Sequence, residues 1–139
     1  PFCSPQLSHK KWPYFNDLIK IIKSKHPNFE IVVAPASTEI EEAKKIESIL
    51  ITNNNESLNI MELAGLIIKA SYIIANDTGP AHMSAHLGKT GTALFGHHTT
   101  AKKVSIETDK FKAITVDDLK SLSAAKVYSI IKDKLELIN

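Results

Sequence analysis

The stretch Tyr72-Ile73-Ile74-Ala75-Asn76-Asp77-Thr78-Gly79-Pro80-Ala81-His82 decides how this chain is read. Its apolar first half has the length of a buried strand, and small, helix-compatible residues follow from Ala81 to Leu87. Between them, Asn-Asp-Thr-Gly turns the backbone, and Pro80 suits the first position of a helix because its missing N–H would have no intrahelical partner there. A strand that turns directly into a helix leaves first-turn N–H groups pointing just beyond the strand's carboxyl end. The helix dipole adds roughly half a positive charge at that spot, and Thr78-Gly79 are small enough for a phosphate to approach the backbone. A well-capped helix that binds nothing would read the same way, so the turn alone leaves both possibilities open.

Outward from this stretch, short apolar runs alternate with helical periodicity. Phe15, Leu18, Ile19 and Ile22 recur at helical spacing with lysines between them, which predicts a helix from Tyr14 to Lys25. Glu30 to Ala34 reads as a short buried strand closed by Pro35. Thr38 reads as the cap of a helix running to Leu50, with Glu39, Glu41 and Glu42 in its first turn, and a strand is suggested around Leu50 to Thr52. Asn59 caps a helix from Ile60 to Lys69 whose apolar residues go nearly all round, a pattern expected of burial on more than one side. Beyond Gly88 come a strand at Thr92 to Phe95, short strand candidates at Val104 to Ile106 and Lys112 to Thr115, a helical turn over Asp117 to Leu122, and a last helix capped by Ser123. With no internal repeat and no linker-like segment, the order predicts one α/β domain with a doubly wound parallel sheet covered on both faces.

Composition narrows the function classes. The 139 residues are 43% hydrophobic and 23% charged, ordinary for a globular chain, and 17 basic against 15 acidic residues give a net charge of +2. That balance argues against a dedicated nucleic-acid surface. Every basic residue is Lys, so a phosphate clamp here uses point charges and not the bidentate fork of Arg. The single Cys3 excludes an internal disulfide and suits a reducing compartment, and no segment reaches the ~20 apolar residues of a membrane span. The expectation is a cytoplasmic protein.

The run SYIIANDTGPAHMSAHLGKTGTALFG, residues 71–96, resembles the donor-site signature of family 9 glycosyltransferases, the lipopolysaccharide heptosyltransferases: apolar strand, N-D-T/S-G-x-x-H, a small-residue helix ending L-G, and A-L-F-G. Pro1-Phe2-Cys3-Ser4 with Lys10-Lys11-Trp12-Pro13 is similar to that family's P-G-x-S followed by K-R-W-P. The chain departs from the pattern at Phe2, where Gly is usual, at Lys89-Thr90-Gly91, and at His97-His98, where Pro-Thr is common. The resemblance implies a Rossmann-like fold, the C-terminal half of a GT-B glycosyltransferase, with residues 1–139 as a single donor-binding domain. It also implies a fragment that starts in the loop after a first strand and lacks the N-terminal acceptor domain. Loss of that central strand would leave two sheet edges unpaired, a state prone to association.

In a doubly wound sheet the ligand lies outside the carboxyl ends of the strands. Ser4, Lys10, Lys11, Asp77, Thr78, Gly79, Pro80 and His82 are therefore the candidate donor- and phosphate-binding residues. Ser4 and a lysine would hold diphosphate oxygens, and the N–H groups of Thr78 and Gly79 would cap them. Glu39 and Glu42 are candidates for the ribose hydroxyls, set against the plainer reading of solvated first-turn charges. The resemblance assigns sugar hydroxyls to Asp77. A strand-end carboxylate facing a cleft contributes little to a core, so Asp77→Ala is expected to change stability by no more than about 1 kcal/mol. Four of the six histidines, His82, His86, His97 and His98, fall close together, but neither a cysteine nor a Glu-after-His helix motif accompanies them, and no metal is expected.

The implied reaction is transfer of a sugar from a nucleoside diphosphate sugar, of the ADP-heptose type, to a lipopolysaccharide precursor at the inner membrane face. No cofactor is implied. The general base belongs to the missing N-terminal domain, so no catalytic residue is expected in this chain, which should bind nucleotide without completing transfer. Two other readings stay open: an inactive nucleotide-binding remnant or interaction module, and a nucleotide-sugar epimerase-like enzyme.

Overall fold

The computed structural model describes residues 2, 9–98 and 101–138, the side chains of 101 and 102 excepted. Two compact units are present, one formed by residues 1–13 and 64–123, the other by residues 14–63 and 124–139.

The second unit contains α1 (Phe15–Lys25), β1 (Val32–Val33), α2 (Ile40–Ala43), β2 (Ile49–Leu50) and, from the chain's end, α6 (Ala124–Glu136). The apolar stripe of α1 buries Phe15, Leu18, Ile19 and Ile22, while α6 buries Ala124, Val127, Ile131 and Leu135, and the two stripes pack together. Buried His26, at the end of α1, bonds the Tyr128 hydroxyl through Nε2 at 3.1 Å. β1 and β2 pair in parallel, Val32 opposite Ile49.

Here the chain departs from its sequence pattern. The helix expected from Thr38 to Leu50 stops at Ala43, and Thr38 lies inside a 3-10 turn, Ser37–Glu39, instead of capping a helix. The apolar residues beyond Ala43 find sheet partners that a helix cannot offer: Ile49 N–H donates to the Ile31 carbonyl and Ile51 N–H to Val33, both at 2.8 Å. Asn16 on α1 holds the reversal, donating to the Lys45 carbonyl and accepting from Glu47 N–H, each at 3.0 Å. Long-range pairing here overrides a local helix preference.

Helix α3 (Ile60–Lys69) starts as its sequence predicts, since Asn59 Oδ1 accepts the N–H groups of Met61 and Glu62 while Glu62 accepts Asn59 N–H in return. Burial on several sides does not follow. Ile67 is its one buried residue, and Ile60, Met61 and Ile68 are exposed. An apolar circumference records composition, whereas burial requires neighbours on each face.

The first unit is built on the parallel sheet β3 (Ile73–Asn76), β4 (Gly91–Phe95) and β5 (Phe111–Thr115), with β4 central and buried along its whole length. Helix α4 (Gly79–His86) packs on β3 and β4, giving a core of Ala75, Ala81, Ala85, Ala93, Phe95, Ile106 and Phe111. Small residues on α4 let helix and sheet approach closely. Gly91 is required for the same reason, because a Cβ there would lie 2.6 Å from both the Ile73 carbonyl and the Phe111 ring. The strand expected at Val104 to Ile106 is instead the end of α5 (Ala101–Val104), which Ser105 terminates in a left-handed conformation (φ 51°) so that Ile106 can enter the core. The turn at Leu119–Ser121 is a 3-10 helix capped by the Asp118 carboxylate.

Candidate functional site

Strand β3 delivers Asn76 and Asp77 to the edge of the first unit's sheet, and both are buried, at 0% and 4% exposure. Asn76 Oδ1 accepts the backbone N–H of Trp12 at 3.1 Å, and the Trp12 indole donates to the Leu122 carbonyl at 2.7 Å. Trp12, itself 1% exposed, thereby straps the Lys10-Lys11-Trp12-Pro13 segment across the strand ends. The strap places Lys10 Nζ 2.8 Å from Asp77 Oδ2.

Two histidines complete the shell around Asp77. His82, in the first turns of α4, presents Nε2 at 3.1 Å to Oδ1, and His98, just beyond β4, presents Nε2 at 3.0 Å to Oδ2. The His98 ring lies nearly parallel to Phe95, with centroids 6.3 Å apart, and edge-on to His9 at 5.4 Å. Burial pushes the Asp77 carboxyl up, but the hydrogen bonds from Lys10, His98 and His82 outweigh it and hold the group below its ordinary 3.8. Burial pushes His98 down from its ordinary 6.5, and although the hydrogen bond to Asp77 opposes it, the nearby Lys10 charge assists and the net direction is downward. Asp77 is thus an ionised carboxylate, and the histidine Nε2 atoms facing it are donors.

Helix α4 begins beside this cluster. Thr78 is its extended N-cap (φ −146°, ψ 169°) and Pro80 lies in its first turn. The N–H groups of Ala81 and His82 are satisfied by the Thr78 carbonyl, and Pro80 has none, so the turn's remaining backbone donors belong to Thr78 and Gly79. Gly79 and Pro80 are exposed, and a Cβ on Gly79 would meet nothing within 4 Å. An anion can therefore approach the two N–H groups at the positive end of the helix dipole. Asp77 does not repel it strongly, because Lys10 neutralises the carboxylate locally.

Lys10, Asp77, Thr78, Gly79, Pro80 and His82 are brought together as the sequence pattern places them. Lys11 extends over the Phe2 ring, its Nζ 5.9 Å from the centroid, so the departure from the family's Gly at that position gives this lysine an aromatic face. Ser4 and Cys3 lie outside the described residues. Glu39 and Glu42 belong to the other unit, and Glu39 Oε2 accepts the Ala36 N–H at 2.9 Å, the role of a turn-closing side chain. The expectation that Asp77 is a cleft carboxylate with little structural weight does not hold: it is buried, with three side-chain donors on it. Sequence reasoning missed the contact of His98 with Asp77 and the Asn76–Trp12 bond. The signs of His98 in the sequence were its place among four closely spaced histidines and the departure of His97-His98 from the family pattern. Among the described residues no group of three or more His, Cys, Asp or Glu is placed to hold a metal ion.

A mixed α/β chain with parallel sheets is the fold of GT-B glycosyltransferases, and the solved structures it matches are of that class. Residues 2–127 match the family model of glycosyltransferase family 9 (heptosyltransferase), and the chain belongs to that family. It is similar to the E. coli heptosyltransferase WaaC with ADP (TM-score 0.71, 16% identity, 92% of this chain and 41% of that one). It is also similar to WaaC with ADP-2-deoxy-2-fluoro heptose (0.74, 19%, 90% and 39%). A third match is the E. coli ADP-heptose LPS heptosyltransferase II (0.75, 16%, 93% and 43%). The chain spans about two-fifths of the length of these structures. No curated protein matches it.

Proposed function

We propose that this chain is the donor-binding part of a glycosyltransferase that moves a sugar from a nucleoside diphosphate sugar of the ADP-heptose type to a lipopolysaccharide core precursor. The observation that carries the reading is the meeting, at the start of α4, of half-buried Thr78 and exposed Gly79 with a lysine delivered to Asp77 at 2.8 Å. Family membership and the ADP and ADP-sugar bound by WaaC support the choice of ligand.

In this reading the diphosphate lies on the Thr78 and Gly79 N–H groups, with Lys10, Lys11, Ser4 and His82 around it and Pro80 fixing the turn. Charge that develops on the leaving diphosphate meets fixed N–H dipoles and a lysine, which is electrostatic stabilisation. Asp77 Oδ1 carries one described donor, His82, and a carboxylate oxygen accepts more than one, so it retains capacity for a sugar hydroxyl. The acceptor's proton goes to a base on an N-terminal acceptor-binding domain. The reading needs no metal cofactor and places the protein in the cytoplasm, at the inner membrane face where its acceptor lies; no described helix is long and apolar enough to cross a membrane.

Calorimetric titration with ADP, UDP and GDP, with and without EDTA, tests it. ADP binding unaffected by EDTA is the expected outcome. Absence of heat with all three at millimolar concentration overturns the assignment.

A further inference from the structure

Asp77 distributes its donors unevenly. Oδ2 takes both Lys10 Nζ, at 2.8 Å, and His98 Nε2, at 3.0 Å, whereas Oδ1 takes His82. The two donors on Oδ2 differ in freedom. The Lys10 side chain is 20% exposed on a flexible stem, while His98 is 7% exposed, with its ring against Phe95. His98 must donate through Nε2, because the carboxylate only accepts. Its Nδ1 is buried and, among the described residues, finds no hydrogen-bond partner. A second proton there would be a buried charge without an acceptor, facing Lys10 and His9, so His98 is a fixed, neutral donor.

Lys10 Nζ has three N–H donors and gives one to Asp77, so a diphosphate that draws the ammonium beyond its 2.8 Å contact takes it from Oδ2. Were Lys10 the sole donor on Oδ2, its departure would strip a buried carboxylate oxygen, a loss of about 1–3 kcal/mol or more that would hold the lysine in place. With His98 on the same oxygen, Oδ2 keeps a donor throughout. We propose that His98 is a positioning residue that holds Asp77 while Lys10 transfers from Oδ2 to the diphosphate of the donor nucleotide. This rests on the donor-binding reading above and deepens it: the lysine is an exchangeable group, stored on Asp77 and released to phosphate because a histidine replaces it.

The test compares His98→Phe, which keeps a ring against Phe95 but has no Nε2–H, with His98→Gln, whose amide can donate to the same oxygen, by calorimetric titration with ADP. His98→Phe weakens ADP binding about tenfold, the equivalent of one lost charge-assisted hydrogen bond, and His98→Gln recovers most of it. In a Lys10→Ala background, which is weaker from the start, His98→Phe has no further effect. Wild-type affinity in His98→Phe, or an equal loss in both backgrounds, overturns the proposal and leaves donor binding standing. If His98→Phe does not fold, the Nε2–H proton resonance of the wild-type protein reads the same contact: retained at ADP saturation it supports the exchange, and lost it overturns it. If ADP, UDP and GDP all fail to bind the wild type, donor binding itself falls, and the ligand-free arm still decides the role of His98. Asp77 titrated by carboxyl NMR stays below the ordinary carboxylate range in Lys10→Ala and rises in Lys10→Ala/His98→Phe; identical titrations in the two refute the support role.

Discussion

Replacing Asp77 by Ala separates two pictures of the strand end. If Asp77 were a carboxylate facing an open cleft, its removal would change stability by no more than about 1 kcal/mol. The structure predicts more, because three donors lose their acceptor together. His98 suffers most: its side chain is 7% exposed, and a buried donor left without a partner costs about 1–3 kcal/mol. Lys10 and His82, at 20% and 31% exposure, can turn partly to water, so each adds less, in the range of about 0.5–1.5 kcal/mol for an ordinary hydrogen bond. The expected loss is about 2–6 kcal/mol, or roughly 7–20 °C in Tm for a chain of this size. Urea unfolding followed by circular dichroism measures it, and an unchanged m-value ensures that the shift in midpoint reports stability. Asp77→Asn, which keeps one acceptor oxygen, falls between Ala and wild type. A loss under about 1 kcal/mol in Asp77→Ala would refute the buried-cluster account.

The same cluster sets a pH dependence. The folded state favours neutral His98, so the unfolded chain takes up its proton first and stability falls as the pH drops below about 6.5; ionised Asp77 contributes stability that is complete above 3.8 and is lost as the pH falls through its lower folded value. Urea midpoints measured from pH 8 to 3 should decline in both windows, with the lower decline absent in Asp77→Asn; a flat profile would contradict both shifts. Trp12→Phe removes the indole donor from the Leu122 carbonyl at a fully buried position and should cost about 2 kcal/mol while weakening ADP binding, because the strap carrying Lys10 is loosened. A variant as stable as the wild type, with unchanged affinity, would show that the strap does not depend on this bond.

Local chemistry made much of this chain legible before any coordinates. Asn59 with Glu62 forms a capping box within four residues of sequence, and Thr78-Gly79-Pro80 starts α4 as the turn and the proline predict. The stripe of α1 likewise follows from its own spacing. Such features are decided by neighbours along the chain, so sequence determines them. What the tertiary structure decided depends on partners far away in sequence. The chain beyond Ala43 became a loop and a strand because Ile31 and Val33 offer it carbonyls, and α3 left Ile60, Met61 and Ile68 exposed because an apolar helix is buried only where something packs on it. Asp77 looked like a free ligand group in the sequence; it is a buried hub because Lys10 lies 67 positions before it and His98 lies 21 after it. Burial and pairing belong to such long-range contacts, and no window of neighbouring residues contains them.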